Sequence, residues 1–163
     1  MEIWDAYNKD FQKVEGIILK RGETIPNGLY HLVCDIIVRH IDGEYLLMQR
    51  AKNKHHAGLW EATAGGSALQ GETPLECAFR ELKEETGIEA KELQEVGRSI
   101  NEERHSIYVE FLAIVDIDKD SIILQENETS AYKWVKKEVL IQMNEDELVT
   151  KRTCSFISEL KEK

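Results

Sequence analysis

One helix has both of its ends written into the sequence, and it constrains the fold more than any other feature. Thr73 offers a capping hydroxyl, Pro74 fits a first helical turn, and Gly87 supplies a stop after Thr86. Between these marks Leu75, Ala78, Phe79 and Leu82 recur at helical spacing, which predicts one apolar face packed against a sheet. Glu81, Glu84 and Glu85 fall within an arc of about 100° beside that stripe, where they would line the rim of a cleft. Like charges one turn apart, such as Glu81 and Glu85, cost a helix a few tenths of a kcal/mol, so stability alone does not select this cluster. A divalent cation reverses the sign. Mg²⁺ takes oxygen ligands and commonly uses one or two carboxylates, with water and phosphate oxygens completing its shell.

Composition narrows the class of partner. The chain has 163 residues and 42% hydrophobic content, which fits a single domain with its own core. Its 31 acids against 21 bases give a net charge of -10, so a nucleic-acid polymer is a poor partner. An acidic chain can still bind an anionic phosphate through an intervening cation. Cys34, Cys77 and Cys154 have neither zinc-site spacing nor the density of a disulfide scaffold, and they read as reduced thiols. The acidic start, and the lack of any apolar run near the roughly 20 residues that span a bilayer, predict a cytoplasmic protein with no membrane partner.

Along the chain, residues 30–39 and 45–50 read as antiparallel strands joined through Asp42-Gly43. Residues 51–58 read as a basic loop, and Leu59 to Ala64 as a short apolar segment running into Gly65-Gly66, where a sharp backbone event is expected. Further strands are expected at 95–100, 106–117 and 131–135, then helices at 136–143 and 145–160. Residues 1–28 read as an N-terminal extension packing on the domain. The expected fold class is α/β, a three-layer sandwich with a mixed central sheet over residues 1–163.

Gly66, Glu72, Arg80, Glu81, Leu82, Glu84, Glu85, Gly87 and Ile88 together fill every specified position of one family signature: Gly, five residues, Glu, seven residues, Arg-Glu, aliphatic, any, Glu-Glu, any, Gly, aliphatic. The chain therefore resembles the Nudix hydrolases, and a chance match is on the order of one in a billion or rarer per starting point. That resemblance implies a Nudix-type α/β/α sandwich and a metal-dependent hydrolase, with Mg²⁺ or Mn²⁺ held by Glu81, Glu84, Glu85 and the carbonyl near Gly65. It also implies that Glu72 and Arg80 tie helix to loop, that Gly66 and Gly87 are structural, and that a homodimer is plausible.

Outside this box, Tyr30-His31-Leu32, Gln49-Arg50-Ala51, Gly58-Leu59-Trp60 and Gln125-Glu126-Asn127-Glu128 are similar to isopentenyl-diphosphate isomerases. By that likeness His31 matches a metal ligand, Arg50 and Lys54 match diphosphate contacts, and Glu126 and Glu128 match acids of the isomerase site. The isomerases' catalytic Cys and a metal-binding His fall instead on Gly65 and Ser67, which cannot do that work. The scaffold looks isomerase-like and the chemistry hydrolytic.

Several residues have two readings. Trp60 can stack on a nucleobase or belong to the core, and the basic run from Arg50 to His56 can cradle phosphate or form a solvated face. Glu126 and Glu128 can take the proton, with Glu84 also in the catalytic set, or can form a solvated acidic turn, with Glu102, Glu103 or Glu110 the next bases in line. Arg80 can pair with Glu76 one turn earlier. The expected function is hydrolysis of a diphosphate linkage in a small molecule; the alternatives are an isomerase-like enzyme or a non-catalytic nucleotide sensor.

Overall fold

The computed structural model describes residues 1–160, so the last three residues of the expected domain lie outside the described residues. In chain order the strands are β1 (Ile3–Tyr7), β2 (Lys13–Lys20), β3 (His31–His40), β4 (Tyr45–Arg50), β5 (Trp60–Glu61), β6 (Thr63–Ser67), β7 (Gln94–Asn101), β8 (Ser106–Val115) and β9 (Thr129–Val135). Helix α1 (Pro74–Thr86) lies between β6 and β7, and α2 (Lys137–Ile141) and α3 (Arg152–Glu159) follow β9.

The core sheet runs β5-β4-β3-β8-β7, with β6 also pairing β3 and β9 pairing β4. It is mixed, because β3 and β8 are parallel while the other pairs are antiparallel. Strand alternation divides the long central strand between two cores. Leu32, Cys34, Ile36 and Val38 pack with Cys77, Ala78 and Leu82 of α1, while Ile37 packs with Leu140 of α2 and with Cys154 and Ile157 of α3. The result is an α/β/α sandwich with α1 on one face and the two short helices on the other.

Helix α1 obeys its punctuation. Thr73 accepts from Glu76 N–H while the Glu76 carboxylate accepts from Thr73 N–H, and Gly87 closes the helix at φ 78°. Glu76 is therefore a capping residue, and the expected pairing with Arg80 gives way to it. Leu75 is 44% exposed, and the buried face is Cys77, Ala78, Leu82 and Thr86. Each of the three cysteines is free and buried. The Cys34 thiol is pushed far up by its hydrogen bond to Cys77 and by burial, which suits packing and not nucleophilic attack.

Three expectations change. Gly65 and Gly66 make no sharp turn; both lie inside β6, opposite Asp35 and Cys34 of β3. The expected helix over 145–160 begins only at Arg152, because the preceding segment bonds across to β5. Trp60 N–H donates to Glu147 O (2.8 Å) and Val149 N–H to Trp60 O (3.0 Å), which commits that backbone to a bridge. The N-terminal extension is a two-stranded antiparallel sheet, β1 with β2, around a small core of Trp4, Ala6 and Leu19.

Candidate active site

A cleft of about 490 Å³ opens where α1, β6, the ends of β3 and β4 and the N-terminal hairpin meet. Glu81, Glu84 and Glu85 line it, together with Gly65, Gly66, Arg50, Lys54 and Glu128. The structure thus brings together acids, glycines and bases that are up to 78 positions apart, counting from Arg50 to Glu128. Glu126 and Trp60 stay outside. Glu126 is exposed on a turn where Asn127 takes φ 65°, so it does not follow Glu128 into the cleft. Trp60 is half-buried and packs against the α2–α3 core, with the Lys133 ammonium 4.3 Å from its ring centre.

Arg80 is the tie between helix and loop. Its Nε and Nη2 donate to the two Glu72 oxygens at 2.6 and 2.9 Å, and Nη2 also reaches the Ser67 carbonyl at 3.2 Å. This fork holds the Glu72 carboxyl below its usual range and fixes the chain entering α1 against β6. The remaining nitrogen, Nη1, donates to Glu81 at 2.9 Å and Glu84 at 3.2 Å. Glu85 turns the other way and accepts from Gly65 N–H at 3.2 Å. Burial, then the charges of Glu81, Glu61 and Asp35, push the Glu85 carboxyl well above its ordinary range. Among the described residues no three His, Cys, Asp or Glu side chains converge on a single point tightly enough to hold an ion. Arg80 occupies that role towards Glu81 and Glu84.

Both glycines of β6 are required by close approach. A methyl on Gly66 would come within 2.6 Å of Glu81 Oε1, and one on Gly65 would run into the Cys34 carbonyl and within 2.6 Å of Asp35 Oδ1. No side chain fits at position 65, least of all a thiol.

The opposite wall is basic but paired. Arg50 Nη1 lies 2.5 Å from Glu61 Oε1, and its Nε donates to the His55 carbonyl at 2.6 Å, stapling the 51–58 loop. Lys54 Nζ lies 2.6 Å from Glu128 Oε2. His55 and His56 are exposed and share no ligand geometry. His31 is stacked beneath Trp4 at 4.3 Å and 16°, with Ser106 Oγ 2.7 Å from Nε2 and Ser67 Oγ 3.2 Å from Nδ1. Burial, and then the charge of Arg21, lower its pKa to about 4, so it is a neutral ring held by two serines.

Two groups had no sequence signal. Arg152 reaches back 117 positions to Asp35 (2.5 Å) and also bonds Glu110 (3.1 Å), with its guanidinium 3.9 Å from the Tyr108 ring centre. A second chamber of about 320 Å³ adjoins the cleft, lined by Asp35, Tyr108, Asn101, Thr150 and Arg152 and shared with the cleft at Arg50, Gly65 and Arg104. Glu102, read as a reserve base, accepts from Tyr30 O–H at 2.6 Å, and Glu110 is fully buried.

The NUDIX domain model matches residues 29–153, so the chain belongs to the Nudix family. It is similar to an uncharacterized Nudix hydrolase of Listeria monocytogenes, at 31% identity over 147 residues covering 86% of this chain and 83% of that one. A local likeness, 44% over 71 residues and 43% of this chain against 39% of that one, is to an isopentenyl-diphosphate Delta-isomerase of Serratia proteamaculans. Among solved structures, DR0079 from Deinococcus radiodurans superposes with a TM-score of 0.77 at 18% identity, over 96% of this chain and 98% of that one. The chain is a hydrolase of this family, acting on pyrophosphate bonds in small molecules. No helix among the described residues is long and apolar enough to cross a membrane.

Proposed function

We propose that this chain is a metal-dependent hydrolase of a diphosphate linkage between a nucleoside diphosphate, or a related organic diphosphate, and a polar moiety. The observation that carries this reading is the gathering of Glu81, Glu84 and Glu85 on one wall of a cleft whose floor is stripped of side chains at Gly65 and Gly66. Glu85 lies buried beside Glu81, Glu61 and Asp35, and burial first and then those charges raise its carboxyl; a hard divalent cation fits such a gathering of acids. Glu81, Glu84 and Glu85, with the Gly65 carbonyl, would hold Mg²⁺ or Mn²⁺. Such an ion supplies neutralisation of phosphate oxygens and acidifies water.

The chain's own groups do the rest. Arg80 keeps α1 in register with β6 through Glu72, and its Nη1 would give up Glu81 and Glu84 to a bound cation without loss of that fork. Glu128, with Lys54 beside it, stands across the cleft and accepts the proton of the attacking water; Lys54 is then free to meet the phosphate. An isomerase reading lacks support at Gly65, where the backbone leaves no room for a thiol. A sensor without turnover would have no use for the intact acid set.

The test is a panel of diphosphate compounds, ADP-ribose among them, assayed with Mg²⁺ and with Mn²⁺ and then after exhaustive EDTA treatment. Hydrolysis of at least one compound is expected, and it vanishes in chelator. Undiminished turnover in EDTA would overturn the assignment of the acids, and isomerisation of isopentenyl diphosphate without phosphate release would overturn the hydrolytic reading.

A further inference from the structure

Cleft cations differ in whether their charge is already spent. Arg21 Nη1 lies 2.8 Å from Glu2 Oε2, Arg50 is bound to Glu61, Lys54 to Glu128, and Arg80 to three carboxylates. In the adjoining chamber Arg152 is bound to Asp35 and Glu110. Among the described residues that line these cavities, Arg104 is the cation whose guanidinium has no carboxylate or hydrogen-bond partner. It also lines both cavities, so it stands where one opens into the other.

The turn that carries Arg104 is tied down on both sides of it. Asn101 Oδ1 accepts from Arg104 N–H (3.1 Å), Tyr30 O–H donates to Glu102 (2.6 Å), and His31 N–H donates to the His105 carbonyl (2.9 Å). His105 takes φ 50°, a conformation that costs a non-glycine residue energy and persists only when its surroundings impose it. The Arg104 carbonyl in turn accepts from Ser106 Oγ at 3.2 Å. A backbone fixed this way anchors the base of an exposed, unneutralised guanidinium at the rim shared by both cavities, within reach of an anion bound there.

We infer that Arg104 binds the second phosphoryl group of the substrate, the one distal to the acids of α1, and sends the attached polar moiety into the chamber lined by Asn101, Tyr108 and Thr150. A phosphate reaching Arg50 or Lys54 must displace a carboxylate; at Arg104 it displaces only water, so the gain from the charge is not offset. Arg104 is thus a specificity residue for diphosphates over monophosphates. The inference rests on the hydrolase reading of the cleft.

The experiment is titration calorimetry with methylenediphosphonate, a diphosphate analogue that cannot be hydrolysed, in the presence of Mg²⁺. It compares the wild type with Arg104→Ala, Arg104→Lys and Lys52→Ala, the last an exposed loop residue outside both cavities. Arg104→Ala is expected to weaken binding by about 10- to 100-fold, Arg104→Lys by less, and Lys52→Ala not at all. On any compound the wild type hydrolyses, KM should rise in parallel while kcat stays within about threefold. The Arg104 side chain bonds to nothing, so the melting temperature of both variants should match the wild type. Unchanged affinity in Arg104→Ala, or an equal loss in Lys52→Ala, overturns the inference. A wild type that neither binds the analogue nor hydrolyses any diphosphate overturns the hydrolase reading instead.

Discussion

Gly66 sits directly against the Glu81 carboxylate, and a methyl on it would fall 2.6 Å from Oε1. The backbone at Gly66 is not left-handed, so alanine is free to adopt it and the cost falls on Glu81.

Gly66→Ala should therefore fold with a melting temperature close to that of the wild type and lose at least about 100-fold in kcat/KM, the order expected when a reacting group is displaced by about 1 Å. Glu81 is the group that moves. Steady-state kinetics beside a thermal melt make the check; a variant of normal activity would show that the Glu81 position is not used.

Glu128→Gln keeps the backbone bond from Ala51 N–H to the residue 128 carbonyl and removes only the charge. The lost pairing with Lys54 is half-exposed, so stability should change by less than about 1 kcal/mol, whereas turnover should drop by about 10²- to 10⁴-fold with little change in KM. Glu126→Gln, on the exposed side of the same turn, should retain wild-type turnover. Full activity in both variants would place the proton acceptor elsewhere.

Glu110 predicts a pH effect on stability. Burial, and then the charge of Asp35, push its carboxyl up to about 8, with Arg152 opposing; Oε2 is buried without a hydrogen-bond partner. In the unfolded chain the group ionises near the ordinary 4.5, so the unfolded state loses its proton first as pH rises. This residue's contribution to stability is therefore full below pH about 4.5 and is lost as pH climbs through about 8. Between pH 6 and 9 the wild-type melting temperature should fall by roughly 3–5 °C more than that of Glu110→Gln, which keeps an acceptor for Arg152. Parallel melting curves would refute it.

What was legible in the sequence is local. Thr73, Pro74 and Gly87 set the limits of α1 because caps and stops act within one turn. The acid cluster follows from that helix alone. Gly65 and Gly66 were visible as glycines, but their reason was not: the atoms they make room for belong to Asp35 and Glu81, which only the pairing of β6 with β3 brings near. Arg50 and Lys54 were found, yet nothing adjacent in sequence says that Glu61 and Glu128 neutralise them. Arg104 was missed because its distinction is the lack of a partner, a property of the assembled cleft. The helix expected from residue 145 failed because apolar spacing is silent on the Trp60 backbone, which claims that segment first.

The N-terminal hairpin has a consequence for how such a hydrolase changes its substrate. Residues 29–153 carry the family's frame, including the acids and β6, whereas Glu2 and Arg21 line the same cleft from outside that span. The hairpin has its own small core in Trp4, Ala6 and Leu19 and meets the cleft through the ring of Trp4 on His31. Recognition at that wall thus draws on residues outside the family's frame, so substitutions at Glu2 and Arg21 can retune what the cleft accepts while the acids of α1 stay as they are.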